Sequence, residues 1–236
     1  VYVHGSVRHI IGLGFVRILP SGGRKGFVVR ADAAPVVKFQ NLYSFGGESR
    51  TLVTNTASTV IVEDCDGFSF QVVGRGDVFL NNCVGSLKIT NPGANVWARQ
   101  WNTEGTGIDS DNAGGTLWIL GLKTEKGMCK IRTTAGGRTE LLGAHIYNIG
   151  TEFKPHPLFE IIDASASFAC VREVCYARPE KWYTEHVRET RGGETKVLLL
   201  PEKVWGLYCG VDTIAPAPKP TAKPKRATGI APVRRG

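Results

Sequence analysis

Short runs in which apolar and polar residues alternate recur along the middle of this chain. Val60–Cys65, Val78–Cys83, Val96–Trp101, Leu117–Leu122 and Glu140–His145 can be laid under one another, with starts 18, 18, 21 and 23 residues apart. That spacing suits one turn of a β-solenoid and is too short for a βαβ unit. A second set lies between them, at Phe68–Gln71, Leu87–Thr90, Gly107–Asp109 and Cys129–Arg132. Corners rich in Gly and Asn, such as Gly74–Gly76, Asn91–Gly93, Gly114–Gly115 and Gly136–Gly137, join the runs and tolerate the backbone that sharp turns require.

Strand side chains alternate between faces, so positions one and three of the first set fill the core: Val60/Val62, Val78/Leu80, Val96/Ala98 and Leu117/Ile119. Glu140 breaks this column, which places the end of the stack near it. A β-sandwich would also give regular strands, but it would not predict matching columns from repeat to repeat. Beyond His145 the pattern weakens. Leu158–Ile162 and Thr195–Leu200 read as strands, Pro179–Arg188 as a short helix, and the whole segment as the finish or flank of the stack. The reading is an all-β parallel β-helix over residues 1–213, followed at 214–236 by a Pro/Lys-rich tail that cannot bury a core and is expected to be disordered.

The net charge of +8 changes little. Lys219, Lys223, Lys225, Arg226, Arg234 and Arg235 all lie in the tail, leaving the rest of the chain at +2. With no recognition motif, a nucleic-acid partner is not expected. The six cysteines include no CxxC pair, and no His/Cys spacing suits a metal, so no metal site is read; the cofactor is left open. Cys65 and Cys83 fall in one column and stack as small apolar residues rather than as a disulfide. No apolar run is long enough to span a membrane. The chain starts at Val1 inside the repeat, without Met or signal peptide, and reads as a C-terminal fragment.

Two columns face solvent. Position two of the first set reads Ile61, Phe79, Trp97, Trp118 and Leu141, an apolar ridge with one ring about every 4.8 Å. Such a ridge suits stacking against successive sugars, or an interface through which the protein self-associates. The outward positions of the second set include Lys88, Lys130 and Arg132, three cations able to track an acidic glycan. The carboxylates of Glu104, Asp109 and Asp111 cluster near one corner, and glycoside hydrolysis needs two such groups at close range.

The runs Val7–Gly14, Val96–Asn102 and Gly114–Glu125 are similar to those of bacterial pectate-lyase-superfamily proteins, nearest the rhamnogalacturonase- and polygalacturonase-like group. The resemblance covers roughly residues 1 to 210. It implies a right-handed β-helix, export to the cell surface or medium, and polysaccharide binding with hydrolase or lyase activity. In hydrolases of that group paired aspartates act, the role that falls here to Glu104, Asp109 and Asp111. Lyases of the group use a calcium site and a basic residue, for which Asp64 and Asp66 near Arg99 are the nearest equivalents. The alternative expectation is a structural or adhesive surface protein that uses the solenoid as a rigid scaffold.

Overall fold

The computed structural model describes residues 1–18, 26–44, 50–105, 107–126, 129–149, 156–176, 183–199 and 204–210. Among them every regular element is a strand. Numbered along the chain these are β1 (Tyr2–Val3), β2 (His9–Ile18), β3 (Phe27–Val29), β4 (Val36–Ser44), β5 (Thr51–Thr54), β6 (Thr59–Glu63), β7 (Asp66–Val72), β8 (Asp77–Ile89) and β9 (Asn95–Thr103). There follow β10 (Ser110–Ala113), β11 (Thr116–Thr124), β12 (Ile131–Thr134), β13 (Arg138–Asn148), β14 (Phe159–Ile162), β15 (Ser165–Cys175), β16 (Glu185–Arg191), β17 (Glu194–Leu199) and β18 (Val204–Gly210).

The chain passes alternately between two stacks of parallel strands. One runs β2, β4, β6, β8, β9, β11, β13, β15. The other runs β1, β3, β5, β7, the far half of β8, then β10, β12, β14, β16. Because no loop interrupts β8, it serves both stacks, and β4, β6, β8 and β7 close a ring of parallel pairings. The C-terminal strands reverse direction: β17 pairs antiparallel with β16, and β18 with β15.

The all-β expectation holds, and the column reading holds for the first stack. Val37, Val60, Val78, Val96 and Leu117 share one buried column, and Phe39, Val62, Leu80, Ala98 and Ile119 the next. Each such side chain contributes roughly 1.5–3 kcal/mol by leaving water. Thr139, not Glu140, continues the first column, so the register of the fifth segment slips by one. Glu140 lies beside Trp118 on the outer face, and Leu141 is buried. The stack therefore does not end there but continues through β15 and β16. The expected helix at Pro179–Arg188 is also corrected. Pro179–Trp182 lie outside the described residues, while β16 extends the second stack through Val187 opposite Phe159, with Val187 buried. The tail at 214–236 lies outside the described residues.

From β4 onward, within the strands of the first stack or just past β6, the chain turns a corner on one residue with positive φ. These residues are Asn41, Asp64, Asn82, Gln100, Gly121, Gly143 and Cys170, with φ between 51° and 81°. Beyond the corner, Cys65 and Cys83 occupy one buried column as free thiols. Their hydrogens go to carbonyls, Cys65 to Glu63 and Cys83 to Asn81, and burial pushes their pKa values up to about 11 and about 12.

Candidate functional site

In the column starts 60, 78, 96, 117, 139 and 166, the interval widens from 18 to 27 residues. The added residues lie between β9 and β10, β11 and β12, and β13 and β14. Insertions on one face of a repeat stack are where binding surfaces are commonly built. Glu104 and Glu125, from the first two of these segments, bond Lys123 on an open groove of about 480 Å³ lined by Asn82, Gln100, Trp101, Asn102, Gly121, Leu122, Lys123, Gly143, Ala144 and His145.

The groove crosses β8, β9, β11 and β13 along the corner column. Asn82 and Gln100 carry side chains there, whereas Gly121 and Gly143 (φ 81° and 79°) do not, and the surface sinks at the two glycines. A Cβ at Gly143 would meet no atom within 4 Å. Just past the corner, Asn102, Lys123 and His145 stand in register, and they form a polar wall across three strands.

Lys123 is the centre of that wall. Its Nζ lies 2.7 Å from Glu104 Oε1 and 2.5 Å from Glu125 Oε1. The Tyr147 hydroxyl donates to Glu125 at 2.5 Å, and Asn102 Nδ2 donates to Glu104 at 3.1 Å. The Lys123 hydrogen bonds hold both glutamates below the usual carboxylate range, and the Glu125 bond raises the Tyr147 phenol. Partial burial acts to lower Lys123, but its bonds to Glu104, Glu125 and Tyr147 outweigh that and raise it above the ordinary lysine range.

Beneath the loops lies a buried ion pair. Lys130 Nζ is 2.7 Å from Asp109 Oδ2, and the hydroxyls of Thr103 and Thr124 donate to the same oxygen at 3.0 and 3.3 Å. Burial pushes Asp109 up and Lys130 down, opposed by their mutual attraction. Lys130 also donates to the Glu125 carbonyl at 2.7 Å, so the pair anchors the loop that carries Glu125.

The proposed carboxylate cluster is not assembled. Glu104 is held by Lys123, Asp109 by Lys130, and Asp111 by a two-point bond from Arg132 at 2.9 and 3.0 Å. Lys130 was expected to face solvent and is instead buried. It precedes β12, which begins at Ile131, as Asp109 precedes β10, which begins at Ser110, so strand alternation sets the face of neither side chain. The outer face of the second stack then reads Gln71, Lys88, Asp111, Arg132, Glu160 and Arg188. Its charges alternate rather than forming a cationic stripe, although Lys88 stays exposed. Asp64 at its corner accepts from Asn82 Nδ2 at 2.8 Å. Among the described residues no group of three His, Cys, Asp or Glu is placed to hold a metal ion.

The aromatic ridge is present. Phe79 and Trp97 stack with centroids 4.7 Å apart and planes 10° from parallel, and Trp97 and Trp118 with 4.9 Å and 8°. The rings cover one another's faces, so the ridge presents mainly edges outward, not a series of sugar-stacking platforms. On the same outer face, two positions nearer the corner, stand Asn81, Arg99, Leu120 and Leu142. Sequence reading missed Gln100, Asn102, Lys123, Glu125, His145 and Tyr147. Their signal was the repeat itself, since Asn102, Lys123 and His145 are 21 and 22 residues apart, like the columns they accompany.

A scan against protein-family models, a search of curated proteins and a search of solved structures each give no match. No helix among the described residues is long and apolar enough to cross a membrane.

Proposed function

We propose that this chain is a right-handed parallel β-helix of the pectate-lyase type, exported from a bacterium to its surface or medium, that binds polysaccharide in the corner groove. The winding is supported by the two parallel stacks in constant register and by the near-universal right hand of parallel crossovers. The observation that carries the binding reading is the groove itself. It is open at the surface, runs across four strands for about 14 Å, and offers amides, an ammonium and an imidazole. Sugar hydroxyls both donate and accept, which such a lining matches.

Binding, rather than depolymerisation, is the activity proposed. Glycoside hydrolysis needs one carboxyl kept protonated, and here Lys123 holds Glu104 and Glu125 ionised. The test is affinity electrophoresis of the protein and of Gly143→Asn in gels containing soluble polysaccharides. Retardation of the wild type by at least one glycan, lost in Gly143→Asn with the fold intact by circular dichroism, is the expected result. Retardation that survives the substitution would refute the groove as the site.

A second reading, a scaffold that assembles through the ridge, is favoured by the Phe79–Trp97–Trp118 stack beside Leu120 and Leu142, each 54% exposed. It predicts self-association by light scattering that Trp97→Ala reduces, with no glycan retardation.

A further inference from the structure

We propose that the groove selects neutral, not acidic, polysaccharide; this rests on the groove being the carbohydrate site. The argument is the charge balance of its wall. Lys123 is the one lysine or arginine among the lining residues, and Glu104 and Glu125 both already sit on its ammonium, at 2.7 and 2.5 Å. The two glutamates reach the lining through Lys123, whereas Arg99 and Arg172, which flank the groove by register, are outside it.

A uronate carboxylate brought beside Lys123 would meet two glutamates at the same nitrogen. It could gain that cation only by displacing one of them, and an unpaired carboxylate would be left at the wall. Neutral hydroxyls face no such competition. They can donate to the remaining lone pairs of Glu104 and Glu125, and they can accept from the amides of Asn82, Gln100 and Asn102. The loops enforce this arrangement. Lys126 Nζ donates to the Glu104 carbonyl at 2.8 Å, Lys130 Nζ to the Glu125 carbonyl at 2.7 Å, and the Tyr183 hydroxyl to the Lys126 carbonyl at 3.0 Å. Both glutamates are therefore tethered through their backbones as well as by Lys123, and the acidic pair is a built part of the wall.

The experiment uses the full chain against xylan, mannan and a soluble β-glucan on one side and polygalacturonate and alginate on the other, at low salt and at about 0.5 M NaCl. A neutral glycan should be retained at both salt concentrations, and the acidic polymers should not. The variant Glu104→Gln/Glu125→Gln, which frees Lys123, should gain about tenfold in affinity for polygalacturonate, the worth of one charge-assisted hydrogen bond. Retention of the acidic polymers alone by the wild type, abolished by salt, would overturn the neutral preference while leaving the groove as a glycan site. Retention of no polymer would overturn the glycan reading itself, and this inference with it.

Discussion

Lys130→Met is the substitution whose cost the structure sets most clearly. The Lys130 side chain is wholly buried and the Asp109 side chain is 1% exposed. Removal of the ammonium leaves a buried carboxylate with only the hydroxyls of Thr103 and Thr124 as donors. Breaking one side of such a pair costs about 3–5 kcal/mol, a large part of the roughly 5–15 kcal/mol that holds a typical domain folded. In Asp109→Asn/Lys130→Met the uncompensated charge is gone, while an amide oxygen still accepts from the two threonines, so much of that loss should return. Urea unfolding followed by tryptophan fluorescence measures both. Trp101, whose Nε1 donates to Ser110 beside the pair, is buried and reports on this part of the core. The pH dependence has a definite sign. Without Lys130, burial holds Asp109 above its unfolded value, so the variant's deficit is small in acid and grows as pH rises through the folded pKa. A loss below about 1 kcal/mol, or a double variant no more stable than the single one, would refute the reasoning.

Three further outcomes follow from the same geometry. Gly143→Asn should lose less than about 1 kcal/mol, because Asn41 and Asn82 already hold the same corner conformation; Gly143→Val should lose more, and thermal melts compare them. Trp97→Ala removes two stacked ring pairs and should cost roughly 2–3 kcal/mol in urea unfolding. Glu104 and Glu125 have depressed pKa values, so their contribution is present above the ordinary glutamate pKa and lost as pH falls through the folded values. Lys123→Met should therefore flatten the acid limb of a stability profile recorded from neutral pH downward.

The first stack could be read from the sequence because its strands run straight into the corner residue, with little between one column and the next. Val60, Val78, Val96 and Leu117, and with them the Phe79–Trp97–Trp118 ladder, were aligned correctly by alternation alone. Thr139 was missed because Leu141 and Leu142 are both apolar and fit either register. Thr139 is accepted in the core through its hydroxyl, which bonds to Asn112 and Thr133 at 3.1 and 2.8 Å. The second stack was harder. Six residues separate β9 from β10 and β11 from β12, where β8 runs through without a break, so the strand starts of this stack are not marked by the column spacing. Alternation carried back past the strand starts at Ser110 and Ile131 puts Asp109 and Lys130 outside, when they are a buried pair. The wall of the groove draws Glu104, the Lys123–Glu125 pair and Tyr147 from three successive repeats, so no single local motif marks it; only the repeat period, applied to polar residues as well as apolar ones, would have.

The most direct test of the groove is a crystal structure of the protein with a retained neutral oligosaccharide. The account predicts the sugar over Gly121 and Gly143, within hydrogen-bond reach of Asn102, Lys123 or His145. A sugar bound instead along the Gln71–Lys88–Asp111 face, with the groove unoccupied, would contradict it.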